Sequence, residues 1–297
     1  AMLSILIPSY NFEISKLIAD LNKQATELQI KFEIVVIDDA SNSYFRSKNS
    51  NIRKHDSVKY FELSENIGRS KIRNKLAEMA NYQNLLFMDC DSQVVDNKYI
   101  SNYLPYCNKE NLVCGGRTYT ENPPVEKSLY LRWLYGVKRE CSNAEIRNQY
   151  PNKSFMTNNF LISKKIFSEL KFDENISGYG HEDTLFGIEL KQKGIAIKHI
   201  DNPLIHVGLE SAEEFLSKTQ QGISNLKKIL ENYPQRSDLI DSVKILKYYN
   251  FLEKTRAKFM IKVLYLVFRK RVEKNLHGNT PNLKLFDFYK LANLCLI

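Results

Sequence analysis

An apolar run, Leu85-Leu86-Phe87-Met88, ends in Asp89-Cys90-Asp91. Successive strand side chains point to opposite faces, so the two carboxylates, one residue apart, share a face. Two hard oxygen donors at the mouth of a strand suit a divalent cation that carries a diphosphate. The tripeptide also recurs in solvated loops, so its place in the fold has to decide its meaning. Other clusters have the right residue types for related chemistry. Pro8-Ser9-Tyr10-Asn11 and Asp38-Asp39-Ala40-Ser41 each follow an apolar run. Arg69 and Arg73 stand four apart near the start of a helical stretch, where two guanidiniums would attract a diphosphate. Glu182-Asp183 opens another helical stretch. A carboxylate there can take a proton from a hydroxyl nucleophile, or can merely complement the helix dipole. His206 sits in Ile205-His206-Val207, at a strand end.

The elements that must position these groups are legible from hydrophobic spacing. Residues 2–7 read as a buried strand stopped by Pro8, and residues 13–29 have apolar positions at helical spacing. Strands are expected over 32–37, 58–63 and 85–88, with a helix over 68–80. Alternating strands and helices imply a mostly parallel sheet covered on both faces, with ligands bound outside the carboxyl ends of the strands. The clusters at 8–11, 38–41 and 89–91 all fall at such ends. Beyond, 112–117 reads as a strand whose Gly115-Gly116 permits close backbone approach. Residues 118–152 read as a long, mobile connection, 155–162 and 195–200 as strands, and the stretch from Ser163 as a short helix. A further helix runs to about Lys193. Ser211 to Glu214 is a capping-box pattern, and from there to Ile297 the chain reads as mainly helical.

The chain has 297 residues, enough for one large domain with a smaller appendage. Its hydrophobic fraction of 43% is ordinary for a protein that buries a core. Five cysteines, an odd number without a CxxC pair, argue against a disulfide framework or a thiolate zinc site and favour a reducing cytosol. The first strand leaves no room for a signal peptide, and Ala1 reads as a tag remnant. No apolar stretch is long enough for a spanning helix. The net charge is +9, and residues 253–275 contain eight Lys or Arg against two acids.

In order and spacing these motifs resemble glycosyltransferase family 2, whose members have the GT-A fold and use nucleotide-sugar donors. The matching elements are Ile5-Leu6-Ile7-Pro8-Ser9-Tyr10-Asn11, Glu33 to Ser41, Asn66-Ile67-Gly68-Arg69 with Arg73-Asn74, Phe87 to Asp91, Asn158-Asn159, Gly178 to Asp183, and His206. The resemblance covers roughly residues 2–210. It implies an α/β GT-A catalytic domain over 1–210, with a Rossmann-like, mostly parallel sheet, and a helical C-terminal extension over 211–297. It implies a nucleotide site of Pro8, Tyr10, Asn11, Asp39, Asn66, Gly68, Arg73 and Asp89. Arg73 is the better nucleotide contact, and Arg69 serves equally as a solvated surface charge. For the metal, Mn²⁺ or Mg²⁺, it implies Asp91, with Asp89 and His206 as further ligands; imidazole suits Mn²⁺ better. It implies Asp183 as the base and Glu182 as a binder of acceptor hydroxyls, the reverse assignment remaining open. Tyr179, His181 and Asn158 fall on the acceptor side.

The implied activity is inverting transfer of a sugar, with UDP the family's habitual carrier, to a glycan or lipid-linked acceptor in cell-surface polysaccharide synthesis. The implied location is cytoplasmic. A catalytically inactive nucleotide-sugar or glycan-binding relative is the alternative. A sugar-nucleotide pyrophosphorylase would open with a glycine-rich phosphate loop, and no glycine precedes Gly68. No nucleic-acid module accompanies the basic residues. Lys258, Lys262, Tyr265 and Arg269 fall on one helical face, and apolar side chains cover much of the rest. Such a helix can lie peripherally on an anionic membrane, on its inner face here, or pack on the catalytic domain.

Overall fold

The structure, a computed structural model, describes residues 2–176 and 178–297, so Ala1 lies outside it. In chain order the strands are β1 (Met2–Ser9), β2 (Lys31–Asp38), β3 (Val58–Glu62), β4 (Asn84–Met88), β5 (Ser92–Val94), β6 (Leu112–Cys114), β7 (Arg117–Thr118), β8 (Asn159–Ser163), β9 (Ile197–His199) and β10 (Leu204–His206). The helices are α1 (Ser15–Glu27), α2 (Ser43–Asn49), α3 (Arg69–Met79), α4 (Tyr130–Tyr135), α5 (Ala144–Gln149), α6 (Lys164–Leu170), α7 (Glu182–Gln192), α8 (Ala212–Asn232), α9 (Arg236–Ser242), α10 (Lys244–Lys254), α11 (Lys258–Leu276) and α12 (Leu283–Leu296).

The larger sheet has the order β3-β2-β1-β4-β8-β6-β9. β1 runs parallel to β2 and β4, β2 parallel to β3, and β8 antiparallel to β4. This is the mixed, mostly parallel sheet with flanking helices expected for GT-A. Both sheet faces are apolar. Leu3, Ile5, Ile34 and Leu86 pack with α1 on one side, while Leu6, Val35, Phe87 and Phe160 pack with α3 and α7 on the other. The alternation along β1 follows from the two-residue period of a strand. Pro8 does not stop β1; it pairs in register with Ile37 after the ladder to β4 has ended at Leu6 and Phe87. A proline beyond the last paired residue removes little from that ladder.

A small second sheet, β5-β10-β7, lies where chemistry is expected. Its register sets His206 opposite Ser92, directly after Asp91, and Leu204 opposite Arg117. The expected strand at 112–117 is broken by Gly115-Gly116. A side chain at Gly115 would stand 2.3 Å from the Asn202 carbonyl oxygen, so glycine is required for that approach.

Residues 118–152 are not a loose connection. They hold α4, a π-helical turn over Gly136–Glu140 and α5. Close packing selects this arrangement. A Cβ on Gly136 would meet the Tyr119 ring, and Trp133 donates its indole N–H to the Thr120 carbonyl at 2.9 Å. Helix α8 opens with the full capping box, Ser211 and Glu214 each accepting from the other's backbone N–H. Phe215 and Leu216 of α8 pack with Leu131 of α4 and with Phe286 and Tyr289 of α12. Leu185 and Ile188 of α7 join a cluster built from α8, α9, α10 and α12.

Helix α11 presents an unusual surface. Tyr265, Val272 and Leu276 turn inward, whereas Phe259, Met260 and Val267 are 71%, 70% and 70% exposed. Tyr265 is therefore on the packed side, where Lys258 bonds Tyr249 and Glu253, while Arg269 stays exposed and bonds Glu273 of the same helix. Among the described residues no helix is long and apolar enough to cross a membrane.

Candidate active site

The carboxyl ends of β1, β2 and β4 open onto a cavity of about 440 Å³ lined by Pro8, Tyr10, Asp39, Asn66, Gly68 and Arg73, among others. Asp39 organises its wall. Its carboxylate accepts from the backbone N–H of Ile67 at 2.7 Å and of Gly68 at 3.1 Å, and its carbonyl accepts from the Asn66 side chain at 3.0 Å. Burial raises its pKa against the two backbone donors. Gly68, at φ 84°, begins α3 from a conformation that other residues rarely adopt. Asp38 points inward and caps Ser41 at 2.8 Å. Asn11 departs from the expectation of a nucleotide contact. Its backbone N–H donates to Ser41 and its side chain accepts from Asn42, so it fastens one loop to the next.

The arginines of α3 differ in burial and partners. Arg73 is 2% exposed and donates to Asp89 Oδ1 at 2.7 Å and to the Arg69 carbonyl at 3.1 Å. It also lies 3.9 Å from Glu182 Oε1. Arg69 keeps more solvent access, pairs with Glu182, and holds its guanidinium 5.4 Å from the Tyr179 ring centroid. Arg73 is thus an internal clamp that also borders the cavity, and Arg69 is the freer cation.

The two aspartates of the strand end differ sharply. Asp89 is gripped on one oxygen by Arg73 and on the other by Arg117, at 3.4 Å. As a metal ligand it is displaced from the expected role, because both oxygens already face guanidiniums. Among the described residues, Asp91 has Oδ1 buried without a hydrogen-bond partner. Its Oδ2 lies 3.4 Å from His206 Nδ1, yet neither imidazole nitrogen is hydrogen-bonded among those residues. Burial works against the Asp91 charge, but His206, Arg117 and Arg69 overcome it and hold the carboxyl well below the usual range. Gly208 makes room, since a Cβ there would come within 2.7 Å of the Asp91 Cβ. Among the described residues no group of three His, Cys, Asp or Glu side chains is arranged to hold a metal ion. Asp91 and His206 nevertheless form a two-donor set of unsatisfied buried atoms, which fits a cation completing its shell with ligand oxygens. Cys90 packs toward the core, and burial pushes its thiol up to about 12.

Glu182 and Asp183 diverge in the same way. Glu182 is buried and held by Arg69 and Arg73, which outweigh burial and lower its pKa. Both arginines meet the same oxygen, Oε1. Asp183 is half-buried and, among the described residues, accepts only from its neighbour Thr184, through the backbone N–H at 2.7 Å and the hydroxyl at 3.4 Å. Burial, then the nearby Glu182 charge, raise its pKa. It borders both a polar cavity of about 200 Å³ that also touches Asp89, Asp91, Asn158 and His206, and a second cavity of about 430 Å³. His181, left-handed at φ 72° before α7, lines that second cavity, and burial lowers its pKa to about 4. Asn158 is buried and accepts the Asp89 backbone N–H at 3.2 Å. Tyr179 lies between the cations Arg69 and Lys218.

Several site residues escaped sequence reasoning. Arg117 and Arg132 both reach Glu140 at 3.2 Å, and Tyr119 donates to the same carboxylate. Burial would raise Glu140, but Arg132 and Arg117 hold it at about 2. Arg132 continues to Glu210 at 3.3 Å, and Glu210 holds Lys218. The one available signal was Arg117, a charged residue at an expected strand end. The rest lie in the stretch read as a loop, just before α8 or on it.

Comparison with known proteins gives the family and the fold. The family model for Glycosyl transferase family 2 matches residues 4–171. A curated relative, the Uncharacterized glycosyltransferase YfnE of Bacillus subtilis (strain 168), is 25% identical over 243 residues, with 66% of this chain covered. The chain spans only 62% of that relative's length. Among solved structures, S. aureus TarS 1-349 in complex with UDP-GlcNAc is similar at TM-score 0.53 and 17% identity, covering 98% of this chain and 90% of that one. Mannosyltransferase PcManGT from Pyrobaculum calidifontis, in complex with GDP-Man and Mn2+, is similar at TM-score 0.57 and 13% identity, covering 97% and 85%. A longer TarS structure, at TM-score 0.52 and 18% identity, covers 82% of this chain, which spans 42% of it. These structural likenesses are likenesses of fold.

Proposed function

This chain belongs to glycosyl transferase family 2, and from that premise we propose that it moves a sugar from a nucleotide-sugar donor to an acceptor hydroxyl. The observation that carries the reading is the position of Asp183. It is the half-buried carboxylate with a raised pKa on the wall shared by the polar cavity beside Asp91 and the second cavity beyond. Residues 1–210 are taken as the catalytic domain and 211–297 as a helical extension that walls its far side.

The nucleotide lies along Pro8, Tyr10, Asn66 and Gly68, with Asp39 bracing the loop. Arg69 and Lys218 attract the diphosphate, while Arg73 and Arg117 fix Asp89. Asp183 removes the acceptor proton as the hydroxyl oxygen attacks the anomeric carbon. The bond from that carbon to the diphosphate oxygen breaks, and the nucleoside diphosphate leaves with the electron pair. Attack from the face opposite the leaving group inverts configuration. Asp91 and His206 would hold a Mn²⁺ or Mg²⁺ ion, which when bound neutralises charge on the departing diphosphate. TarS has been seen with UDP-GlcNAc and the mannosyltransferase with GDP-Man; uracil is the base proposed here.

A screen of nucleotide sugars for divalent-metal-dependent hydrolysis tests the reading without knowledge of the acceptor. One sugar nucleotide is expected to be turned over, with loss on chelation. Tight donor binding with no turnover under any metal would support a binding-only relative instead.

The acceptor proposed is a glycan or lipid-linked hydroxyl compound of cell-surface polysaccharide synthesis, reached from the cytoplasmic side. The exposed Phe259, Met260, Leu266 and Val267 of α11 stand beside Lys262, Lys270, Arg271 and Lys274. Apolar side chains flanked by cations suit peripheral contact with an anionic bilayer. Co-sedimentation with phosphatidylglycerol vesicles and not with phosphatidylcholine vesicles is expected; absence of binding at low salt removes this contact.

A further inference from the structure

The 430 Å³ cavity beyond Asp183 has a composition that the transfer chemistry alone does not explain. Its floor is the start of α7, with His181 and Asp183, and its other walls come from α8, α10 and α12. Phe215, Ile223, Leu226 and Phe286 supply apolar surface that would meet the C–H faces of a bound polyol or sugar. Three lysines line it as well: Lys218, Lys244 and Lys290.

The carboxylates of this cavity are mostly taken. Glu140 is held by Arg117 and Arg132, and Glu182 by Arg69 and Arg73. Lys218 is paired with Glu210. Lys290 shares its one acid among the described residues, Asp287 at 3.1 Å, with Arg139, which takes the other oxygen at 2.7 Å. Lys290 also lies over the rings of Phe286 and Tyr135, at 4.8 and 5.2 Å from their centroids, where little water can solvate it. Lys244 has no ion pair among the described residues and stands on the same cavity wall. Aside from Asp183, the cavity therefore has an excess of positive charge at the end formed by α10 and α12. Burial lowers the Lys290 pKa, as does the nearness of Arg139 and Lys244, so a cation here lacks a full counter-charge. An anionic oxygen group between Lys244 and Lys290 would supply it.

We propose that this cavity is the acceptor site, and that Lys244 and Lys290 bind a phosphate or carboxylate group on the acceptor while Asp183 faces its hydroxyl. The acceptor is then an anionic polyhydroxy compound, not a neutral sugar. This deepens the transferase reading and rests on it for the role of Asp183, but the anion preference is separately measurable.

The test compares binding of glucose, glucose 6-phosphate and glucuronate by calorimetry, with wild-type protein, the Lys244→Gln and Lys290→Gln variants, and the double variant. The anionic compounds are expected to bind the wild type about tenfold or more tightly than glucose, a typical effect of one charge-assisted contact. Each single variant should narrow that ratio, and the double variant should bring it near one, with Lys290→Arg restoring part of it. The two anionic arms separate phosphate from carboxylate recognition. Lys244 is exposed, so its variant tests the site even if Lys290→Gln folds poorly. Equal binding of charged and neutral compounds by the wild type overturns the proposal, as does a full preference retained by the double variant. Donor hydrolysis is assayed in parallel without acceptor. Hydrolysis without an anion preference sinks this inference alone. An anion preference without hydrolysis keeps the site and sinks the transferase reading.

Discussion

Two acidic pairs face each other across the site, one at the end of β4 and one at the start of α7, and they are built alike. In each, one carboxylate is clamped by arginines and the other is left for ligands. Asp89 lies between Arg73 and Arg117, while Asp91 keeps an unsatisfied oxygen. Glu182 lies against Arg69 and Arg73, while among the described residues Asp183 has only the Thr184 side chain and backbone for partners. Arg73 serves both clamps. The difference lies in the free member: cations lower the Asp91 pKa, whereas burial and a neighbouring anion raise that of Asp183. One arrangement thus yields a permanent anion suited to a cation and a carboxylate suited to accepting a proton.

The comparison is broken most severely at the proton acceptor. Asp183→Asn is expected to lower turnover by about 10³-fold, within the usual range for general bases. The raised pKa means that the charged form is disfavoured in the folded state, so Asp183 costs stability above its folded pKa. The same variant should therefore melt at a higher temperature at pH 8. A melting point that falls, with activity retained, would overturn the role of Asp183. Asp91→Asn should cost on the order of 10²-fold in turnover, as for loss of one electrostatic stabiliser of the leaving group. It should also abolish the rise in melting temperature produced by Mn²⁺ with a nucleoside diphosphate. An unchanged metal-dependent shift would remove Asp91 from that role.

The shared clamp is probed by Arg73→Met, which leaves Asp89 and Glu182 short of a buried counter-charge. A loss of about 3–5 kcal/mol in unfolding free energy is expected by urea titration. A loss below about 1 kcal/mol, the range of exposed ion pairs, would mean that the clamps are not what fixes the acids. The smallest effect is in pH dependence. The raised Asp183 pKa should shift the acid limb of the transfer rate above the ordinary carboxylate range, since the base must be deprotonated. Glu140, held at about 2, contributes stability above its unfolded pKa that is lost as pH falls toward that value. Glu140→Gln should flatten the decline in melting temperature below pH 4, and a parallel decline in both proteins would show that another group carries it.

Much of the fold was legible because it is local. The continuous apolar runs at β1, β2 and β4, and the helical spacing at α1 and α3, each lie within one stretch of chain. The glycine at 115 and the capping box at Ser211 also announce themselves locally. The clusters at the strand ends were found because strand direction alone puts them on one edge. What was missed depends on partners far apart in sequence. Residues 118–152 lack a clear period, and their helices are selected by packing of Tyr119 on Gly136 and of Leu131 on α8. Of the α11 face grouped from spacing, Tyr265 turns inward and Arg269 does not, because the contacts of α10 and α12 decide which side is covered.

The sequence by itself determined the family, the sheet, and which acids and bases could take part, because residue type and period are properties of neighbouring positions. The tertiary structure decided which of those groups are free. Asp89 and Asp91 are indistinguishable as letters, as are Arg69 and Arg73. Only the register of β5, β7 and β10, and the approach of α3 to α7, give the members of each pair different ionic partners. Those partners set the local potential, and that potential decides whether a carboxylate is a structural anchor, a cation ligand or a base.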